Sequence, residues 1–210
     1  MPEIGAHRER LSLDRAHTAC LVIDMQKAFL TGEGSIARMG IPIGRAQALI
    51  PVLERALERL RRSGIMVLHN RMALRPDYAD AGVLATVFPP LKGLGHCVVG
   101  TRDWENIPGF EPKDGEYVID KFRFDGFYGT QMESLLRLKG IDTLIFTGIA
   151  TNICVESTLR SAFFRDFRCI VPRETTASYT AEMEAGSFGN FEFGFATVVG
   201  IDEVYASLGC

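Results

Sequence analysis

The chain has 210 residues, of which 47% are hydrophobic and 23% charged, with a formal net charge of −3. These are ordinary values for a globular chain with one core, read here as a single domain over residues 1–210, and they exclude a disordered, collagen-like or coiled-coil protein. No stretch makes a basic nucleic-acid footprint, because the arginines from Arg55 to Arg62 are interleaved with glutamates.

No apolar run approaches the ~18 residues needed to span a bilayer. The segment from Met1 to Arg10 is polar and charged, with no signal-peptide core. The expectation is a cytoplasmic protein with no membrane and no nucleic-acid partner. The cysteines Cys20, Cys97, Cys154, Cys169 and Cys210 contain no C-x-x-C pair and read as free thiols.

Taken in chain order, Ala19 to Ile23 is an apolar run ending at Asp24, a buried strand. Arg45 to Arg62 carries Leu49, Val52, Leu53, Ala56, Leu57 and Leu60 at helical spacing, with Pro51 either opening the main helix or kinking it, and Gly64 closing it. Ile65 to Leu68 is a second strand. Residues 70–115 hold many prolines and glycines and little periodicity; a loop of that length is usually functional or carries short helices. Tyr117 to Ile119 is a third strand, with Asp120 and Lys121 at its end. Thr130 caps a helix from Gln131 to Lys139, and Thr143 to Phe146 is a fourth strand. A turn at Gly148 to Asn152 leads into a helix from Ile153 to Arg165. Arg168 to Val171 is a fifth strand, a helix starts near Thr180, Thr197 to Val199 is a sixth strand, and Asp202 caps a last helix. Alternating strands and helices predict an α/β, three-layer architecture: a six-stranded, mostly parallel sheet flanked by helices on both faces.

In open α/β sheets the ligand crevice lies beyond the carboxyl ends of the strands. That rule picks out Asp24 at the end of strand one, Asp120 and Lys121 at the end of strand three, and Cys154 one turn past strand four, so that a carboxylate, an ammonium and a thiol are expected to share one crevice. Cys154 also falls in the first turn of its helix, where the dipole and free N–H groups are expected to lower its pKa. Each residue alone has an ordinary reading: a strand-end Asp as a turn former, a Lys as a solvated charge, a Cys as a small core hydrophobe.

Two segments carry a resemblance. Residues 21–26, Leu-Val-Ile-Asp-Met-Gln, and residues 146–159, Phe-Thr-Gly-Ile-Ala-Thr-Asn-Ile-Cys-Val-Glu-Ser-Thr-Leu, resemble the isochorismatase-like cysteine hydrolase superfamily, nearest its ureidoacrylate amidohydrolase branch. The similarity extends over residues 17–205 and includes Gly100-Thr101, Ile107-Pro108 and Lys121 through Thr130. It implies a catalytic triad of Asp24, Lys121 and Cys154, a Rossmann-like fold, a cis peptide at Ile149–Ala150, an oxyanion hole of the Ala150 and Cys154 N–H groups, and a homodimer or homotetramer. The implied activity is hydrolysis of a C–N bond in a small ureido, carbamoyl or amide compound through a thioester, with ammonia or carbamate released.

The candidate substrate-binding residues are Phe29, Asn70, Phe124 and Phe127. The Asn70 amide both donates and accepts, which suits a ureido group. Two departures bear on the substrate: the branch tends to carry Tyr where Phe124 stands, and the central loop is shorter here. Arg71, Arg75 and Arg123 are candidates to pair with a substrate carboxylate. No cofactor and no catalytic metal are expected, because His7, His17, His69 and His96 are not spaced as a ligand set. Phe188, Phe191, Phe193 and Phe195 form an aromatic patch expected to pack against a neighbouring subunit. Two other readings stay open: a thiol redox protein or sensor built on Cys154, which lacks a nearby resolving cysteine, and a non-catalytic binding relative.

Overall fold

The computed structural model describes residues 11–210; Met1 to Arg10, with His7, lie outside the described residues. The strands are β1 (Thr18–Ile23), β2 (Met66–Met72), β3 (Tyr117–Lys121), β4 (Thr143–Ile149), β5 (Arg168–Pro172), β6 (Thr176–Ala177) and β7 (Thr197–Val199). The helices are α1 (Lys27–Leu30), α2 (Ser35–Arg38), α3 (Gly44–Arg62), α4 (Leu84–Val87), α5 (Pro90–Leu94), α6 (Met132–Leu138), α7 (Glu156–Phe163), α8 (Ala181–Asn190) and α9 (Ile201–Leu208). All pairings are parallel, in the order β3-β2-β1-β4-β5-β7, with β6 pairing β4 further along.

The sheet has seven strands where six were expected, because the two-residue β6 is too short to show a periodic signal. β2, β3 and β4 run further than the sequence suggests, so Asp120 and Lys121 lie within β3 instead of beyond it. Asp202 sits in the first turn of α9, whose N-cap is Gly200. Gln131 is the N-cap of α6, although the Thr130 hydroxyl still accepts from the Met132 N–H at 3.2 Å.

Period two in β1 divides the core. Cys20 and Val22 face one layer, where α3 supplies Leu49, Leu53, Leu57 and Leu60 and α9 supplies Val204 and Leu208. Leu21 and Ile23 face the other, against Met132 and Leu136 of α6 and Leu159 and Ala162 of α7. Burying each leucine of the α3 face contributes about 2 kcal/mol. That face holds the helix continuous through Pro51, which points to solvent. Phe188 and Phe191 belong to the second core instead of a subunit-facing patch, while Phe193 is 75% exposed and Phe195 packs on Phe163.

Glu116, just before β3, ties α3 to the sheet. Its carboxylate accepts from Arg61 Nε at 2.6 Å, His69 Nε2 at 2.8 Å and the Lys113 N–H at 2.9 Å. Burial opposes the carboxylate, but the Arg61 bond and then the Lys113 and His69 bonds outweigh it and bring its pKa from 4.5 to about 2. A depressed carboxylate stabilises the fold above its ordinary pKa and loses that contribution as the pH falls through 4.5 towards 2. Glu116→Gln is therefore expected to cost about 2 kcal/mol at neutral pH and to flatten this acid limb, read from urea midpoints across that range.

Candidate active site

β1 delivers Asp24 to the carboxyl edge of the sheet. The residue has a left-handed φ of 52°, and its N–H donates to the Asn70 carbonyl at 2.9 Å. This backbone turn aims the carboxylate at β2 and β3: Oδ1 accepts from the Met72 N–H at 3.0 Å and Oδ2 from Lys121 Nζ at 2.8 Å. Lys121 ends β3, and both side chains of this ion pair are fully buried. Gln26 braces the loop by donating to the Met72 and Trp104 carbonyls at 2.9 and 2.8 Å.

Opposite them, β4 ends at Gly148 and Ile149. Gly148 has φ 105°, and a Cβ there would run into the Ile23 backbone carbonyl, so only glycine lets β4 lie this close to the end of β1. The Ile149–Ala150 peptide is cis. A π-helical turn, Thr151–Val155, then leads into α7 and carries Cys154, which is 4% exposed. Ser178 anchors this turn: it accepts from the Asn152 N–H at 3.3 Å, and its hydroxyl donates to Asn152 Oδ1 at 2.7 Å.

The Cys154 thiol interacts with both Asp24 and Lys121. Burial pushes the thiol pKa up, the Asp24 charge adds to the rise, and Lys121 opposes it. The direction is opposite to the lowered pKa expected from the sequence, and burial is its largest cause. For Lys121, burial works against the ammonium, but the Asp24 charge and then Cys154 overcome it and raise its pKa. The geometry places a buried thiol beside a buried carboxylate–ammonium pair.

Cys154 opens into a cavity of about 60 Å³, room for a few water molecules or a small ligand. Phe29, Phe124 and Ala150 line it, as do Leu84 of α4, Phe88 just after α4 and Leu91 of α5, these three from the central loop. Asn70 and Phe127 are not among the lining residues. Period two in β2 sends Asn70 to the α6–α7 face with Leu68; there its Nδ2 donates to the Ile119 carbonyl at 3.2 Å, and its Oδ1 occupies the space a Cβ at Gly126 would need. Phe127 is buried in the second core, its ring 5.7 Å from that of Phe167. His96 and Tyr179 also line the cavity, and the sequence reading passed over both as site residues. The strand-end rule that selected Asp24 applies equally to Tyr179, which follows β6. Nothing in the pattern of residues 84–96 signals that they fold back over the thiol. A larger open cleft of about 570 Å³ lies at the amino ends of β2 and β3, beside Met66 and Tyr117, away from this chemistry.

Residues 18–203 match the family model of the Isochorismatase domain. The chain belongs to the isochorismatase family. It is 33% identical to the ureidoacrylate amidohydrolase RutB of Methylorubrum extorquens, covering 98% of this chain and 88% of that one. It is 34% identical to the ureidoacrylate amidohydrolase RutB of Yersinia enterocolitica, over 82% and 80% of the two chains. Among solved structures it is similar to an isochorismatase family protein from Desulfovibrio vulgaris, with TM-score 0.81, 31% identity and 94% and 100% coverage. It is also similar to the N-carbamoylsarcosine amidase of Thermoplasma acidophilum, with TM-score 0.70, 30% identity and 88% and 96% coverage. The chain is thus an isochorismatase-family hydrolase, and the seven-stranded parallel sheet is the isochorismatase fold. Among the described residues no helix is long and apolar enough to cross a membrane.

Proposed function

We propose that this isochorismatase-family chain is a cysteine amidohydrolase, cleaving a C–N bond of a small amide or ureide through a thioester on Cys154. The observation that carries the reading is the fully buried Asp24–Lys121 pair beside the Cys154 thiol, which lines a small, largely apolar cavity. The amidohydrolase relatives and the N-carbamoylsarcosine amidase neighbour support the substrate class.

The Cys154 proton passes to Asp24 as Sγ attacks the substrate carbonyl carbon, so the thiolate never has to exist alone in a dry site. The carbonyl π electrons move to oxygen, where the Ala150 and Cys154 N–H groups stabilise the charge, an effect worth about 3 kcal/mol per donor in other hydrolases. The C–N bond then breaks, and the proton on Asp24 goes to the leaving nitrogen, releasing ammonia from an amide or an amine from a ureide, whose carbamoyl group stays on Sγ and leaves as carbamate only in the next step. Water enters, gives a proton to Asp24 and attacks the thioester; Sγ leaves as the proton returns to it. Lys121 keeps Asp24 charged and oriented throughout.

The test is ammonia release from simple aliphatic amides, nicotinamide, biuret, maleamate, N-carbamoyl amino acids and ureidoacrylate. Turnover of at least one class is expected. Silence across the panel, with a folded protein, contradicts the reading.

A further inference from the structure

We infer that the cavity beside Cys154 selects uncharged, largely apolar acyl groups, and that Tyr179 is a specificity-determining residue whose hydroxyl donates a hydrogen bond to the substrate. This rests on the amidohydrolase reading above and narrows its substrate class.

The wall around the thiol is made chiefly of rings and aliphatic chains. Among the described residues no arginine or lysine lines it. Lys121 is committed to Asp24. The three arginines considered for a substrate carboxylate are held elsewhere. Arg71 makes a two-bond pair with Asp120 at 2.9 and 3.1 Å and stacks on Trp104. Arg75 pairs with Asp77, and Arg123 donates to the Asp80 and Phe122 carbonyls at 2.6 and 2.7 Å. A carboxylate entering the cavity would lose its water, gain no counter-ion and meet the Asp24 charge. The named substrate of the ureidoacrylate relatives is an anion, and no cationic side chain lines this cavity among the described residues to meet one.

Two polar side chains remain, and both are neutral. His96 has its Nδ1 2.6 Å from Ser35 Oγ, and burial, with Lys121 nearby, lowers its pKa to about 4. The Tyr179 hydroxyl oxygen is buried without a hydrogen-bond partner, and burial keeps it protonated. A buried, unpaired hydroxyl is costly; Tyr179 lines the cavity, and a ligand acceptor that reaches its hydroxyl through a shift of the side chain removes that cost. A neutral donor on an apolar wall fits a carbonyl, ether or ring-nitrogen acceptor.

Two measurements test this. In the first, iodoacetamide and iodoacetate are reacted with the wild type at neutral pH, and Cys154 alkylation is followed by peptide mass mapping. The preference for iodoacetamide at Cys154 is expected to exceed that of free cysteine by at least about tenfold. An equal or reversed preference overturns the inference without touching the amidohydrolase reading. In the second, kcat and KM are measured for butyramide and malonamate, which are alike in size. Butyramide is expected to be favoured in kcat/KM by at least about tenfold, and Tyr179→Phe to raise its KM about 3- to 10-fold with kcat little changed. Unchanged KM in Tyr179→Phe overturns the role of the hydroxyl, and a preference for malonamate overturns the uncharged class. Alkylation selectivity with no turnover of any amide supports the neutral pocket and contradicts the amidohydrolase reading.

Discussion

Cys154→Ala is expected to lower kcat by about 10⁴-fold or more while leaving the fold intact. The alanine keeps the backbone of the Thr151–Val155 turn and removes only Sγ from a wall that already borders a cavity. Without sulfur no covalent intermediate forms, and Asp24 is left to activate water against an unactivated amide. In hydrolases whose catalytic groups act as a unit, losing one member costs nearly as much as losing all of them. Cys154→Ser is expected to be almost as slow, because a hydroxyl gives up its proton to a carboxylate far less readily than a thiol does. Ammonia release against urea midpoints separates loss of chemistry from loss of fold. Retention of more than about 1% of wild-type kcat in Cys154→Ala contradicts nucleophilic catalysis.

Lys121→Met is expected to be the most destabilising of the site substitutions. Lys121 and Asp24 have fully buried side chains, 2.8 Å apart. Removing the ammonium leaves a carboxylate in the dry interior with the Met72 N–H and the neutral Cys154 thiol but no counter-ion, a loss of about 3–5 kcal/mol. Adding Asp24→Asn removes the stranded charge. The double variant is therefore expected to recover much of the stability, and a double-mutant cycle read from urea midpoints gives the coupling. Activity does not follow stability: the double variant has lost the group that takes the thiol proton and is expected to remain inactive. Additive losses in the cycle, with the double variant least stable of all, contradict a coupled buried ion pair.

The parts of this site that were legible in the sequence are those fixed by position along a strand. Asp24 and Lys121 end apolar runs, and Cys154 follows one, so the rule that parallel sheets bind at their carboxyl ends brings them together before any coordinate is known. What the sequence did not show depends on distance and burial. The Cys154 pKa follows from how completely the site is dried, and no local pattern encodes that. Asn70 sits two residues from the end of β2, and the period of two in that strand puts its side chain on the α6–α7 face; the shorter strand read from the sequence, ending at Leu68, placed it in the loop instead. Phe127 was read as pocket lining because it follows Lys121 closely, yet its ring packs into the second core. The walls from Leu84 and Leu91 come from helices of four and five residues, and Phe88 from the cap between them, below the length at which periodicity can be seen. β6, two residues long, was missed for the same reason.

The central claim is that the acyl group passes through Cys154. The most direct measurement is a rapid acid quench of enzyme with the best amide from the panel, within the first turnover, followed by peptide mass mapping. The account predicts that the Cys154 peptide gains the substrate mass less ammonia, that ammonia appears before the free acid, and that hydroxylamine removes the adduct. Simultaneous release of ammonia and acid with no mass change on Cys154, or an adduct on another residue, would contradict it.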